Sequence, residues 1–153
     1  MMLNRRSLMA AALILPLGAA MILPCWGQSA PVYSPGGVAI GGYDPVAYFT
    51  EGRAVLGDGS HMLKWRGTMW IFASAANLEA FEMDPKAFAP QYGGYCAYGI
   101  AQGQKIETDP KVFTISNGRL YFNNSSSAKS LWQQDIATNI SRADANWPAL
   151  AGQ

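Results

Sequence analysis

Cys96 and His61 are the residues of this 153-residue chain whose side chains best suit chemistry. Cys96 stands among tyrosines and glycines in PQYGGYCAYGIAQG, residues 90–103, and His61 is the only histidine. A pair of thiol and imidazole must therefore combine these two residues, whether as nucleophile and base or as ligands. Thiolate and imidazole suit soft ions such as Cu(I) and zinc. We therefore predict a metal site at Cys96 and His61, with copper or zinc as the ion.

Three other interpretations of Cys96 remain open at this point. A cysteine among small and aromatic residues often packs as a small hydrophobe. A thiol with a lowered pKa would instead act as a redox group or a nucleophile. Pairing with Cys25, the second cysteine of the chain, is the third alternative.

The common catalytic signatures are absent from the sequence. It contains no Gly-x-Ser-x-Gly, no Cys-x-x-Cys and no His-x-x-x-His pattern. These absences remove the usual signatures of hydrolases, of thioredoxin-type proteins and of zinc proteases. We therefore assign no catalytic residue and expect a binding protein rather than an enzyme.

The first thirty residues, 1–30, have the order of an export signal. A basic start is followed by an apolar run from Leu8 to about Leu23 and then by small and polar residues. The paired Arg5 and Arg6 resemble a twin-arginine signal. We therefore expect a periplasmic or otherwise exported protein. Anchoring by an uncleaved signal or by a lipid on Cys25 is the alternative.

Composition predicts one folded domain and excludes one class of partner. Half of the residues are hydrophobic and 14% are charged, whereas about a quarter is usual for charged residues. Residues 31–153 contain nine Lys and Arg residues and ten Asp and Glu residues, and no basic run is present. A protein that neutralises phosphates needs clustered cations, so we expect no nucleic-acid binding. A metal ion or another protein is the expected partner.

Two β-hairpins are predicted in the folded part of the chain. Residues 31–37 are rich in Gly, Ser and Pro and read as a linker, and the domain is expected over 38–150. Alternating apolar residues predict hairpins within 60–74 and 111–124. Their turns are expected at Arg66-Gly67-Thr68 and at Asn117-Gly118.

Helices are predicted after each hairpin. Ser74 suits the N-cap of a helix that ends at Asp84-Pro85. Residues 125–150 have helical spacing and predict one helix, or two helices broken near Thr138. The order of hairpin, helix, hairpin and helix predicts a small single domain of the α+β class, with two antiparallel β-hairpins and helices.

Three stretches of the chain carry a family resemblance. They are GGYDPVAYF, WRGTMWIFASAANLEAFEMDPKAFAPQYGGYCA and ADANWP. Together they resemble the YHS-domain family, in its exported bacterial branch, over roughly residues 38–148. The resemblance implies a small metal-associated module with a treble-clef-like arrangement of hairpin and helix, of a kind found beside proteins that handle copper and heavy metals.

The resemblance does not extend to the cysteines of the family's finger. Metal-binding members read Asp-Pro-Val-Cys-Gly-Met where this chain has residues 44–49, and Phe-Cys-Ser-x-x-Cys where it has residues 72–77. All three cysteine positions are lost, which leaves Cys96 and His61 as the only combination of thiol and imidazole. We therefore expect an exported YHS-type binding module, a metal-related accessory protein with Cys96 as candidate ligand. The alternatives are a thiol redox protein that uses Cys96, or a metal-free structural or interaction domain.

Overall fold

The computed structural model describes residues 31–153, so the predicted export signal lies outside the described residues. Its two sheets are separate two-stranded antiparallel hairpins. Together with the helices, they confirm the predicted α+β class with two antiparallel hairpins. The helices and strands, in chain order, are α1 (Ala47–Thr50), β1 (Asp58–Trp65), β2 (Thr68–Phe72), α2 (Ala75–Met83), α3 (Pro85–Phe88), α4 (Ala97–Ala101), β3 (Asp109–Ser116), β4 (Arg119–Asn123), α5 (Ser126–Gln134) and α6 (Ile136–Ala151). Short 3-10 turns lie at Pro35–Gly37, Ala39–Gly42 and Gln91–Gly94.

The second hairpin repeats the first, 51 positions later. The outermost pair of β1 and β2 is Asp58 with Phe72, and that of β3 and β4 is Asp109 with Asn123. In both hairpins an eight-residue strand pairs with a five-residue strand, and the register shifts after that outermost pair. Both tight turns hold two residues with positive φ, at the predicted positions. The same irregularity at the same place indicates one structural unit used twice.

The repeat continues into the helices that follow each hairpin. The side chains of Ser74 and Ser125 cap the nine-residue helices α2 and α5. Asp84 and Asp135, again 51 positions apart, end those helices and cap α3 and α6. The predicted cap at Ser74 is confirmed. The last two helices break at Asp135, three positions before the predicted Thr138, because the Asp135 carboxylate accepts the backbone N–H of Thr138 and starts a new helix.

A glycine turn opens each unit. Residues 40–42 have φ values of 46°, 66° and 82°, and residues 92–94 have 53°, 62° and 87°. Ile40 and Tyr92 are thus held in the left-handed region, which disfavours non-glycine residues. The two glycine turns are 52 positions apart rather than 51, because the segment between the turn and the hairpin is one residue shorter in the second unit. We call residues 39–88 the first unit and residues 91–151 the second unit.

Strand β4 joins the two hydrophobic cores. Leu120 and Phe122 are fully buried in the core of the first unit, whereas Tyr121 points into the core of the second. Neighbouring strand residues face opposite sides, so one strand can serve both cores. The two units therefore form one folded body. The main buried rings are Tyr48, Trp70, Phe72, Phe81 and Phe122 in the first core and Tyr92, Tyr121 and Trp132 in the second.

Residues 31–37, predicted as a linker, lie against the second unit. The Tyr33 N–H donates to the Gly93 carbonyl at 2.9 Å, and the Ile40 N–H donates to the Tyr33 carbonyl at 2.7 Å. A side chain at Gly93 would meet the Pro31 carbonyl oxygen at 2.0 Å, so only glycine allows this close approach. Within residues 31–153, no helix combines the length and apolar character that crossing a membrane requires.

Candidate functional site

Cys96 lies in the interior of the second unit. It is 1% exposed and occupies the N-cap of α4, where its Sγ accepts the Gly99 N–H at 3.4 Å. Its own N–H donates to the Ile106 carbonyl at 3.0 Å, and its backbone bridges to Phe122 of β4. The thiol thus accepts a backbone N–H at the start of α4 and fills space in the core.

Asp44 holds the same position in the first unit, directly after the glycine turn and its tyrosine. It is completely buried, and its carboxylate accepts four N–H groups. Two belong to Val46 and Ala47 at the start of α1, one to Ala73 after β2, and one to the Asn77 side chain. The carboxylate therefore ties the turn, the hairpin and α2 together. Because this position is structural in the first unit, the equivalence favours the packing interpretation of Cys96.

His61 lies on β1, in the hairpin of the first unit, and is partly exposed. It is near Asp58, whose pKa is lowered chiefly by the N–H and hydroxyl of Ser60 and, to a smaller extent, by His61. No hydrogen bond joins His61 to Cys96. Among residues 31–153, no three or more His, Cys, Asp or Glu side chains gather in a group that could hold a metal ion. A metal site at Cys96 and His61 stays a prediction.

A cleft of about 420 Å³ opens where the two units meet, and we call it the junction cleft. The first unit contributes the end of β1 with its turn and part of α3. The second unit contributes its glycine turn and one face of α6, and residues 89 and 90 lie between. The lining residues are Trp65, Arg66, Lys86, Ala89, Pro90, Gln91, Tyr92, Gly93, Asp144, Trp147 and Pro148.

The charges of the junction cleft are divided between the units. Arg66 and Lys86 of the first unit are cationic, and Asp144 of the second is anionic. The Tyr92 hydroxyl donates to Oδ1 of Asp144 at 2.8 Å and orients that carboxylate. Burial, and then this hydrogen bond to an anion, raise the pKa of Tyr92 well above its usual value. Tyr92 is therefore a neutral, permanent donor to Asp144 at physiological pH.

Two indole rings line the junction cleft and are held by aromatic neighbours. Trp147 lies 6.0 Å from Tyr92 between ring centroids. Trp65 makes edge contacts with Trp70 at 5.7 Å and with Phe81 at 5.5 Å. The guanidinium of Arg66 lies 4.4 Å from the centroid of the Trp65 ring. Such stacking orients a guanidinium while its N–H groups stay free to donate.

Sequence reasoning did not find the junction cleft, although its residues lie in stretches that carry the family resemblance. Trp65 and Arg66 open one of these stretches, and Asp144 and Trp147 lie in ADANWP. The signal that could have indicated them is charged residues close to tryptophan in two stretches that are far apart in the chain. Only the position of α6 near the first hairpin shows that these stretches meet.

Comparison with protein-family models, with curated proteins and with solved structures finds no match for this chain. The resemblance to the YHS-domain family therefore stays a prediction. The described residues offer a polar cleft with aromatic walls and, separately, a buried thiol whose contacts are structural.

Proposed function

We propose that this chain is an exported, non-enzymatic binding module of the YHS type whose ligand site is the junction cleft. The observation that carries the proposal is the gathering of Arg66, Lys86 and Asp144 with two fixed indoles around one concavity. Ligand sites commonly have volumes of about 300–1,000 Å³, with apolar walls and a few polar groups. The volume of about 420 Å³ falls within that range.

Within residues 31–153, none of these three charges has an ionic partner, and this supports the proposal. Within residues 31–153 the structure contains one ion pair, between Arg53 and Glu51, and it lies outside the cleft. The charges of Arg66, Lys86 and Asp144 are thus left for solvent or a ligand. A binding site needs such groups, because groups already paired inside the protein must first lose their partners.

The finer assignment of the fold belongs to the same proposal. Each unit has a hairpin followed at once by a capped helix, α2 after β2 and α5 after β4. This order supports the treble-clef-like part of the YHS resemblance. The metal-related version of the function depends on Cys96, whose buried thiol gives it no added support.

The proposal is tested by titrating the ¹⁵N-labelled protein with a library of small charged and aromatic molecules. We expect saturable shifts of the indole N–H resonances of Trp65 and Trp147. Trp132, buried in the second core and outside the cleft, is the internal control and should not shift. If every compound leaves the two cleft indoles unshifted, the junction cleft is not a ligand site and the proposal is wrong.

A further inference from the structure

Charges of opposite sign face the junction cleft without neutralising each other. Arg66 and Lys86 come from the first unit and Asp144 from the second, and none of them forms an ion pair within residues 31–153. A gap therefore separates the cations from the carboxylate. A molecule with both charges could bridge that gap and satisfy both sides.

The Asp144 carboxylate can accept hydrogen bonds from a ligand. Oδ1 accepts the Tyr92 hydroxyl, and an ionised carboxylate keeps further lone pairs. Asp144 lines the cleft and is exposed. Its remaining lone pairs suit a group with several N–H donors, such as an ammonium.

The opposite side of the cleft suits an anion. The Arg66 guanidinium is oriented by the Trp65 ring, and its fork of donors matches a carboxylate. Lys86 adds a second positive charge from α3. Trp65, Trp147 and Pro90 also line the cleft and add flat apolar surface for the body of a ligand.

From these features we infer that the junction cleft binds a small zwitterion with an aromatic or apolar body, an amino acid or a dipeptide. Its carboxylate contacts Arg66 and Lys86, and its ammonium contacts Asp144. The inference rests on the proposed function and adds the class of ligand. An anion without an ammonium is repelled by the carboxylate of Asp144, and a cation without a carboxylate is repelled by Arg66 and Lys86. Unfavourable charges of this kind exclude competitors.

The test uses L-phenylalanine and the dipeptide Phe-Ala, each also as its N-acetylated and C-amidated form. We expect either modification to weaken binding about five- to tenfold, because each removes one charge-assisted contact. Comparing the amino acid with the dipeptide distinguishes the two lengths. Affinities are measured by isothermal titration calorimetry.

Variants assign each contact to one side of the cleft. Asp144→Asn should weaken binding of the zwitterion about five- to tenfold and strengthen binding of the N-acetylated form, because it removes the charge that repels this anion. Arg66→Gln should weaken the zwitterion equally and strengthen binding of the C-amidated form, which is a cation. Arg142→Gln on α6 and Lys64→Gln on β1 are matched controls, because both residues are exposed and lie outside the cleft. Asn at position 144 keeps an oxygen for the Tyr92 hydroxyl, and unfolding midpoints confirm that each variant folds.

Each result separates this inference from the proposed function. Equal affinity for zwitterionic and blocked forms would overturn recognition of both charges while leaving the cleft as a binding site. If no probe binds although the fragment library shifts the cleft indoles, the class of ligand is wrong and the proposed function stands. If neither the probes nor the library affects the cleft, both are wrong.

Discussion

Asp44 and Cys96 occupy one position of the repeated unit and make different contacts there. The Asp44 carboxylate accepts the Asn77 side chain at 2.7 Å, whereas the corresponding position in α5 is Ala128. The polar donor is thus absent from the unit that has a thiol instead of a carboxylate. The acceptor at position 44 and the donor at position 77 are thus both replaced in the second unit, as expected for buried side chains that form a hydrogen bond with each other.

Replacing Asp44 should destabilise the protein strongly. Asp44→Ala leaves buried N–H groups without an acceptor, and we expect the free energy of unfolding to fall by about 3 kcal/mol or more. Asn77→Ala removes one donor and should cost about 1 kcal/mol. Urea denaturation measures both values. A loss below that of Asn77→Ala would show that Asp44 does not tie the first unit together.

The packing interpretation of Cys96 predicts a slow thiol. We expect alkylation of the folded protein to be far slower than in denaturant, because the side chain is 1% exposed. Cys96→Ala should lower the free energy of unfolding by about 1–2 kcal/mol, through lost core volume. Fast labelling at neutral pH would instead support the redox alternative.

Metal binding at Cys96 is decided by a separate measurement. If Cys96 and His61 hold an ion, Cu(I) competition should show one ion per chain in the wild type. That ion should be lost in both Cys96→Ser and His61→Gln. Equal competition by all three proteins would remove the metal version of the function, and the junction cleft would be unaffected.

Buried tyrosines predict a loss of stability in alkali. Burial raises the pKa of Tyr48 well above its usual 10.0, and its hydroxyl donates to the Pro110 carbonyl at 2.8 Å. The unfolded state releases this proton near pH 10 and the folded state does not, so the contribution to stability is complete below about pH 10 and declines above it. Tyr48→Phe should reduce this dependence. Denaturation at pH 8 and pH 11 measures the difference, with Tyr98→Phe, at a partly exposed position, as control.

At the scale of elements, the equivalent caps of α2 and α5 should contribute equally. Ser74 Oγ and Ser125 Oγ each accept a backbone N–H at 3.2 Å. Each Ser→Ala change should cost about 1 kcal/mol of unfolding free energy. Ser127→Ala, on the exposed side of α5, is the control and should cost much less. A large difference between the free energies lost at the two caps would show that the equivalent caps do not contribute equally to stability.

Local signals were enough to predict the hairpins, their turns and the Ser74 cap, because a few neighbouring residues determine each of them. The repeat was not predicted, because the side chains at equivalent positions have changed. Phe72 corresponds to Asn123 and Asp44 to Cys96, while the backbone pattern persists. The junction cleft could not be predicted either, since it depends on how α6 lies relative to the first hairpin. That arrangement is a property of tertiary packing.

At the scale of the whole molecule, sharing of β4 predicts cooperative unfolding. Leu120 and Phe122 complete the first core, so the first unit alone lacks two of the large side chains that fill it. We expect the protein to unfold in one transition that is the same by far-UV circular dichroism and by tryptophan fluorescence. A fragment of residues 31–90 should show no cooperative transition. Independent folding of that fragment would contradict the shared core.

The junction cleft has two different sides. In a homodimer, a cleft on the two-fold axis presents the same residues from both subunits, so its sides must match in charge. The junction cleft is instead formed by non-equivalent segments of the two units, so its sides need not match. Arg66 and Lys86 of the first unit therefore line the same opening as Asp144 of the second. We expect a ligand with distinct ends to bind there in a single orientation.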